Sequence, residues 1–245
     1  MRRRIILALA IAVTASLAAA LTPAIARKAG ADHLPNLRTR KPFGLHVTIE
    51  GGQRLLRFTN TVANVGQGPL ELRPDNVGDL TTAYQRIYTH DDAMQWQFKY
   101  EVPIGTFIFH PQHNHWHFEA FAQYQLFDLA ADGSIGTLLR EAEDKVSFCV
   151  ADGRRVNSSL KHAALEPVYP TSCSQDAWQG LSVGWADRYG WRLYGQWIDI
   201  TGLPDGTYWL VSTADPTDLI LETRNGDNAK AIKVKISGTS VSTVA

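Results

Sequence analysis

Residues 44–58 read GLHVTIEGGQRLLRF, and their pattern decides the fold class. Leu45, Val47 and Ile49 alternate onto one face, and Leu56 and Phe58 recur in a return segment. The Gly51-Gly52 pair between them can take the left-handed backbone that a two-residue hairpin turn requires. The same pattern repeats along the chain. NVGQGPLELRP (64–74) sets a Gly/Pro turn among strand-like residues, LPDGTYWLVST (203–213) repeats it, and AKAIKVKI (229–236) places Ile232, Val234 and Ile236 on one face. Beyond the N-terminal apolar run, no segment keeps a 3.6-residue apolar period for more than about two turns, although SSLKHAALEP (158–167) is a candidate for a short helix. The expectation is an all-β chain: a single-domain, β-sandwich-like core with long loops. The longest loop region should run from about Ala151 to Gly195, where strand signal is weak and Gly, Trp and Tyr are frequent.

The N-terminus has a different grammar. Arg2, Arg3 and Arg4 precede an apolar run from Ile5 to about Leu21, and Ala24, Ile25 and Ala26 form a small-x-small cleavage site. Residues 1–26 are therefore expected to be a signal peptide, followed by a polar lead-in over 27–42, a domain over 43–237 and a short tail over 238–245. The reading puts the mature protein outside the cytoplasm, secreted or periplasmic, with no stable membrane insertion after cleavage; the arginines do not choose an export route. Removing the leader leaves 21 Lys and Arg against 24 Asp and Glu. So balanced a chain has no basic stripe for nucleic acid and no polybasic run for an anionic membrane. Its two cysteines, Cys149 and Cys173, are expected to form one disulfide, because exported chains keep such bonds and no Cys-x-x-Cys metal spacing is present.

Half of the eight histidines fall within FHPQHNHWHFEAF (109–121). If HNHWHFEAF is a strand, His113, His115 and His117 share one face while Asn114, Trp116 and Phe118 point to the other, toward the core. Three neutral imidazoles on one face suit copper, zinc, nickel or iron and leave positions open for water or substrate. His110 has the opposite parity and is expected to be only a neighbour. A cupin-like site is the competing arrangement, needing a carboxylate soon after a His-x-His pair and a late histidine; Glu119 and His162 are the candidates.

The wider sequence resembles the lysyl oxidase family, the copper amine oxidases that act on peptidyl lysine. The likeness rests on HPQHNHWHFEAFAQYQLFD (110–128), DKVSFCV (144–150), GLSVGWADRYGWRLYGQWIDIT (180–201) and LPDGTYWLVSTADPTDLILETRNGDN (203–228), in the family's order and spacing. It implies a short, microbial-type member with few cysteines. His113, His115 and His117 would bind copper, and Lys145 and Tyr189 would be joined covalently as lysine tyrosylquinone. The implied activity converts a primary amine or the lysine of a protein substrate to an aldehyde with oxygen, releasing hydrogen peroxide and ammonia. A β-sandwich metal-binding or adhesion module without the quinone is the alternative. Two departures matter. Gln112 stands where animal members carry a cysteine, and Gln123 replaces a histidine sometimes proposed as the base; an amide cannot take a proton at neutral pH.

Overall fold

The computed structural model describes residues 31–75, 80–90, 95–111, 114–143, 147–173 and 178–244. The expected signal peptide and its cleavage position after Ala26 lie outside the described residues. In chain order the first eight strands are β1 (Leu37–Thr39), β2 (Phe43–Glu50), β3 (Gln53–Asn64), β4 (Leu70–Pro74), β5 (Leu80–His90), β6 (Trp96–His110), β7 (His115–Phe118) and β8 (Ala122–Leu129). They are followed by β9 (Ile135–Glu141), β10 (Arg154–Arg155), β11 (Gln179–Leu181), β12 (Trp185–Tyr189), β13 (Trp197–Asp199), β14 (Gly206–Ala214), β15 (Ala229–Ser237) and β16 (Ser240–Val244). No helix occurs among the described residues. The chain is all-β, as expected.

The strands form three antiparallel sheets. One has the order β1-β3-β12-β10, with β2 and β13 also paired to β3; the others run β11-β4-β5-β6-β7 and β16-β15-β14-β8-β9. The β2–β3 hairpin turns at Gly51 and Gly52, with φ of 58° and 85°. A Cβ at either position would meet nothing within 4 Å, so glycine is needed there for its backbone freedom and not for space. Strand β3 carries four partners and is buried continuously from Leu55 to Asn64. Burial in β3 therefore does not alternate, and in β2 the face expected to hold Leu45, Val47 and Ile49 is covered only in part: Val47 is buried while Ile49, beside the turn, is 58 % exposed. All three sheets contribute to one core, in which Phe58, Phe107, Phe118, Phe121, Tyr124 and Phe148 are fully buried.

Two expectations of local structure change. Residues 158–167 form turns, not a helix: His162 takes a φ of 68°, and the Ala163 amide closes a tight turn onto Leu160 O at 3.1 Å. Within the expected long loop, Trp185–Tyr189 forms a strand beside β3, placing Tyr189 opposite Asn60. Regular pairing also reaches beyond residues 43–237, since β1 joins β3 and β16 joins β15.

Asn64 ties the N-terminal segment to this frame. Its Oδ1 accepts from the Asn36 amide at 3.1 Å and the Gly66 amide at 2.9 Å; its Nδ2 donates to Gly68 O and Leu181 O, each at 2.9 Å. The side chain is wholly buried, so truncation strands several polar groups away from water. Asn64→Ala is expected to cost about 2–4 kcal/mol, read as a lower urea midpoint at unchanged slope. A loss below about 0.5 kcal/mol would remove Asn64 from this role.

Candidate functional site

The histidine-rich segment folds as a hairpin tip, not as one long strand. Asn114, with φ of 55°, precedes β7, and its amide donates to His110 O at 2.8 Å. After only four residues the chain leaves the sheet, passing through Ala120 at φ 54° before β8 begins. The expected strand over 113–121 is thus reduced to Phe118 at its far end, and His113 lies outside the described residues. His115 and His117 share a face, with Nε2 atoms 2.9 Å apart. Two nitrogens each about 2.0–2.1 Å from one ion, at 90–110°, would stand about 2.9–3.4 Å apart, so this pair already has ligand spacing. Trp116 and Phe118 fill the core on the other face, as expected, but His117 is itself only 3 % exposed. His110 sits directly across from His115 in the sheet, and its ring lies 4.2 Å from that of His117.

His117 is buried because residues 147–150 and 173 close over the free side of β7. The Trp116 amide donates to Cys173 O at 3.2 Å, and Phe118 exchanges backbone hydrogen bonds with Phe148 at 2.7 and 3.0 Å. Gln179 completes the seam: its Nε2 donates to Trp116 O at 2.8 Å while its Oε1 accepts the Val150 amide at 2.9 Å. Ser147 Oγ lies 3.1 Å from His117 Nδ1, engaging that nitrogen and directing Nε2 toward His115. The expected disulfide is present, with the Cys149 and Cys173 Cα atoms 5.7 Å apart. Gln112 and Lys145 lie outside the described residues.

His115, His117 and Tyr189 line one cavity of about 480 Å³, with Cys149, Asp187 and Arg188 also in its wall. Tyr189 is half-buried and edge-on to Phe148 at 4.4 Å, and its hydroxyl donates to Cys149 O at 2.6 Å. Burial pushes its phenol well above the usual range, and the Asp187 carboxylate, through charge and hydrogen bonding, pushes the same way. Tyr189 is therefore a neutral phenol at physiological pH. Burial also raises the Glu119 carboxyl, against a smaller opposing effect of its hydrogen bond with Ser147. Gln123 bonds Glu141 on β9 at 3.4 Å. A second cavity, of about 460 Å³, is lined by Arg140, Glu141, Glu143 and Asp199 and contains no imidazole.

The cupin-like arrangement is not formed around His162. This residue packs against His33 and His90, with ring centroids 5.4 and 3.9 Å away. Its imidazole is pushed down to about 4 by burial first, then by the nearby positive charge of His90, Lys161 and His33. Sequence reading missed Ser147, Gln179 and Asp187. Ser147 and Asp187 lie inside segments already singled out, beside Lys145 and Tyr189, but only tertiary contacts show what they touch.

This all-β frame brings a histidine pair with nitrogens 2.9 Å apart and a half-buried tyrosine to one cavity, a class of site with nitrogen donors and a redox-capable ring side by side. Residues 86–245 match the family model described as lysyl oxidase. The chain is 32 % identical over 142 residues to lysyl oxidase homolog 1 of Bos taurus, covering 58 % of this chain and 22 % of that protein. It is 27 % identical over 189 residues to lysyl oxidase homolog 2 of Gallus gallus, covering 77 % and 19 %, and equally so to homolog 3A of Danio rerio, covering 77 % and 20 %. The chain belongs to the lysyl oxidase family, and its matched part spans about a fifth of the length of these relatives.

Because the disulfide closes a loop of 24-residue separation, replacing both cysteines with serine is expected to lower stability by about 3–4 kcal/mol through the freed denatured chain. Denaturant unfolding of the double-serine protein against the oxidised parent checks this. Equal midpoints would mean that hydrogen bonding alone secures Cys173.

Proposed function

We propose that this chain is an exported copper-dependent amine oxidase, converting primary amines, peptidyl lysine foremost, to aldehydes with release of hydrogen peroxide and ammonia. The observation that carries the reading is the His115–His117 nitrogen pair, 2.9 Å apart, opening on the cavity that also holds Tyr189. Copper would be held by His113, His115 and His117, whose nitrogen donors suit that ion, and the described pair, His115 and His117, has ligand spacing. Lys145 and Tyr189 would be the two halves of lysine tyrosylquinone. When bound, these groups supply an electrophilic carbonyl that accepts the amine and its electron pair, and a metal that serves to build that carbonyl from tyrosine.

The chain's own residues set up this chemistry. Ser147, two residues after Lys145 in sequence, fixes the orientation of His117 and leaves its Nε2 for a metal. Tyr189 must give up its phenolic proton before its ring can be oxidised, and Asp187 is the adjacent carboxylate able to take it. Asp187 would also serve as the base for the substrate's α proton, a role Gln123 cannot fill, since Asp187 lies in the cavity wall while Gln123 turns to Glu141. Arg188, Leu193 and Tyr194 border the same space, whose volume suits the aliphatic arm of a lysine presented on an extended chain. Export is supported by the leader pattern together with the disulfide.

His117→Ala is expected to lower the copper content by about one equivalent and abolish amine-dependent peroxide release, measured by elemental analysis and a coupled peroxidase assay. Lys145→Arg and Tyr189→Phe should keep that copper yet lose the coloured phenylhydrazine adduct and the cross-linked Lys145–Tyr189 peptide pair. Asp187→Asn should reduce kcat about 10²–10⁴-fold with copper retained. If copper-loaded, oxygen-exposed wild-type protein yields no adduct, no cross-link and no peroxide, the oxidase reading fails in favour of a metal-binding β-sandwich module.

A further inference from the structure

Outside the cavity, three histidines from remote parts of the chain converge. His33 stands in the N-terminal segment, His90 ends β5, and His162 occupies the turn between β10 and β11. One ring nitrogen from each lies within 4.8 Å of the other two. The His33 and His90 rings are 4.6 Å apart, and the His90 and His162 rings 3.9 Å apart. Trp96 stacks on His90 at 3.8 Å and closes one side.

We propose that His33, His90 and His162 form a second metal site, distinct from the His115–His117 centre, that takes a borderline divalent cation of the Zn²⁺ class. The donor set is three imidazoles with no thiolate, which suits zinc and its late first-row neighbours over calcium or magnesium. Ligand nitrogens around a tetrahedral ion stand about 3.3 Å apart, so the three rings would close by about 1.5 Å at most to share one ion. Each ligand is also already positioned by its backbone. The His33 amide donates to Tyr88 O at 2.9 Å, fixing this segment against β5. Next to it, Asp32 accepts hydrogen bonds from Tyr100 at 2.8 Å and from Lys99, placing a carboxylate behind the cluster.

Two further observations point to a ligand. His33 Nδ1 is buried and has no hydrogen-bond partner, a cost that stacking alone does not relieve and that a metal bond would. His162 holds a left-handed backbone, uncommon for a residue with a side chain, at the point where it meets the other two rings. Beside the cluster lies a cavity of about 140 Å³ lined by Tyr88, Trp96, His162 and Tyr169, giving room for a water as fourth ligand. A bound ion would staple the N-terminal segment and β5 to the long 156–178 connection, whose other end is held by Cys173. The site is independent of amine oxidation and stands or falls by itself.

The test uses the full mature chain carrying His115→Ala and His117→Ala, stripped with chelator, offered Zn²⁺ and dialysed. About one equivalent of zinc should be retained, with a raised Tm. Adding His33→Gln or His162→Gln should weaken retention by more than the ~10–100-fold typical of losing an outer-shell partner, and cancel the Tm rise. No retained zinc in the parent, or retention unchanged in both added variants, overturns the proposal. Should the added variants misfold, the wild-type protein decides: Zn²⁺ should protect His33, His90 and His162 together from diethyl pyrocarbonate, with His46 as the unprotected reference. Equal modification of the three with and without zinc overturns it.

Discussion

The peptide of Trp116, between His115 and His117, is held at both its polar ends. Its amide meets Cys173 O and its carbonyl meets Gln179, while β6 pairs along the opposite edge of the strand. A four-residue strand has too little pairing of its own to fix side chains to ligand precision, so this two-sided clamp supplies the rigidity. The indole and Phe118 ring anchor the reverse face in the core. The imidazoles then have one direction left, toward the cavity.

The same seam organises the chemistry around Tyr189. Phe148 bonds the Phe118 backbone, stands against the Tyr189 ring and adjoins Cys149, whose carbonyl accepts the Tyr189 hydroxyl. One short segment thus connects the histidine strand, the disulfide and the tyrosine. Its burial makes each polar contact count for more, because the groups have no water to fall back on. Asp152 performs a related service behind the cavity wall. This buried carboxylate accepts the amides of Val168, Tyr169 and Ser182 and the Ser182 hydroxyl, seating the long connection on the sheet.

That connection is fastened at points of unlike chemistry: Cys173 by a disulfide, Asp152 by hydrogen bonds, and His162 by its packing with His33 and His90. A loop so long and so poor in regular pairing must be ordered by such contacts if it is to form a wall. The histidines divide accordingly. Among the described histidines, His115 and His117 line the cavity with His110 beside them, and His33, His90 and His162 gather around the long connection. His46 stacks on Trp191 at 3.8 Å and belongs to neither group.

The all-β class, the Gly51-Gly52 turn, the inward faces of Val47, Ile232, Val234 and Ile236, and the pairing of Cys149 with Cys173 were legible in the sequence, because period-two alternation, left-handed glycines and cysteine count are local properties. The face shared by His115 and His117 was legible for the same reason. Strand β12 was not, since WADRY has no alternation and is a strand only because β3 offers it an unpaired edge. The short helix expected at 158–167 failed because His162 and Ala164 are drawn into contacts with His90 and Val183 that no local window contains. Ser147 and Gln179 owe their places to partners 30 and 63 residues away, His117 and Trp116, whereas Asp187 and Tyr189 share one strand face that became readable only once β12 was seen to be a strand. The gathering of His33, His90 and His162 was likewise decided by tertiary structure alone: residues so far apart in the chain share no periodicity, and only the closing of β5 against the N-terminal segment and the long connection brings their rings together.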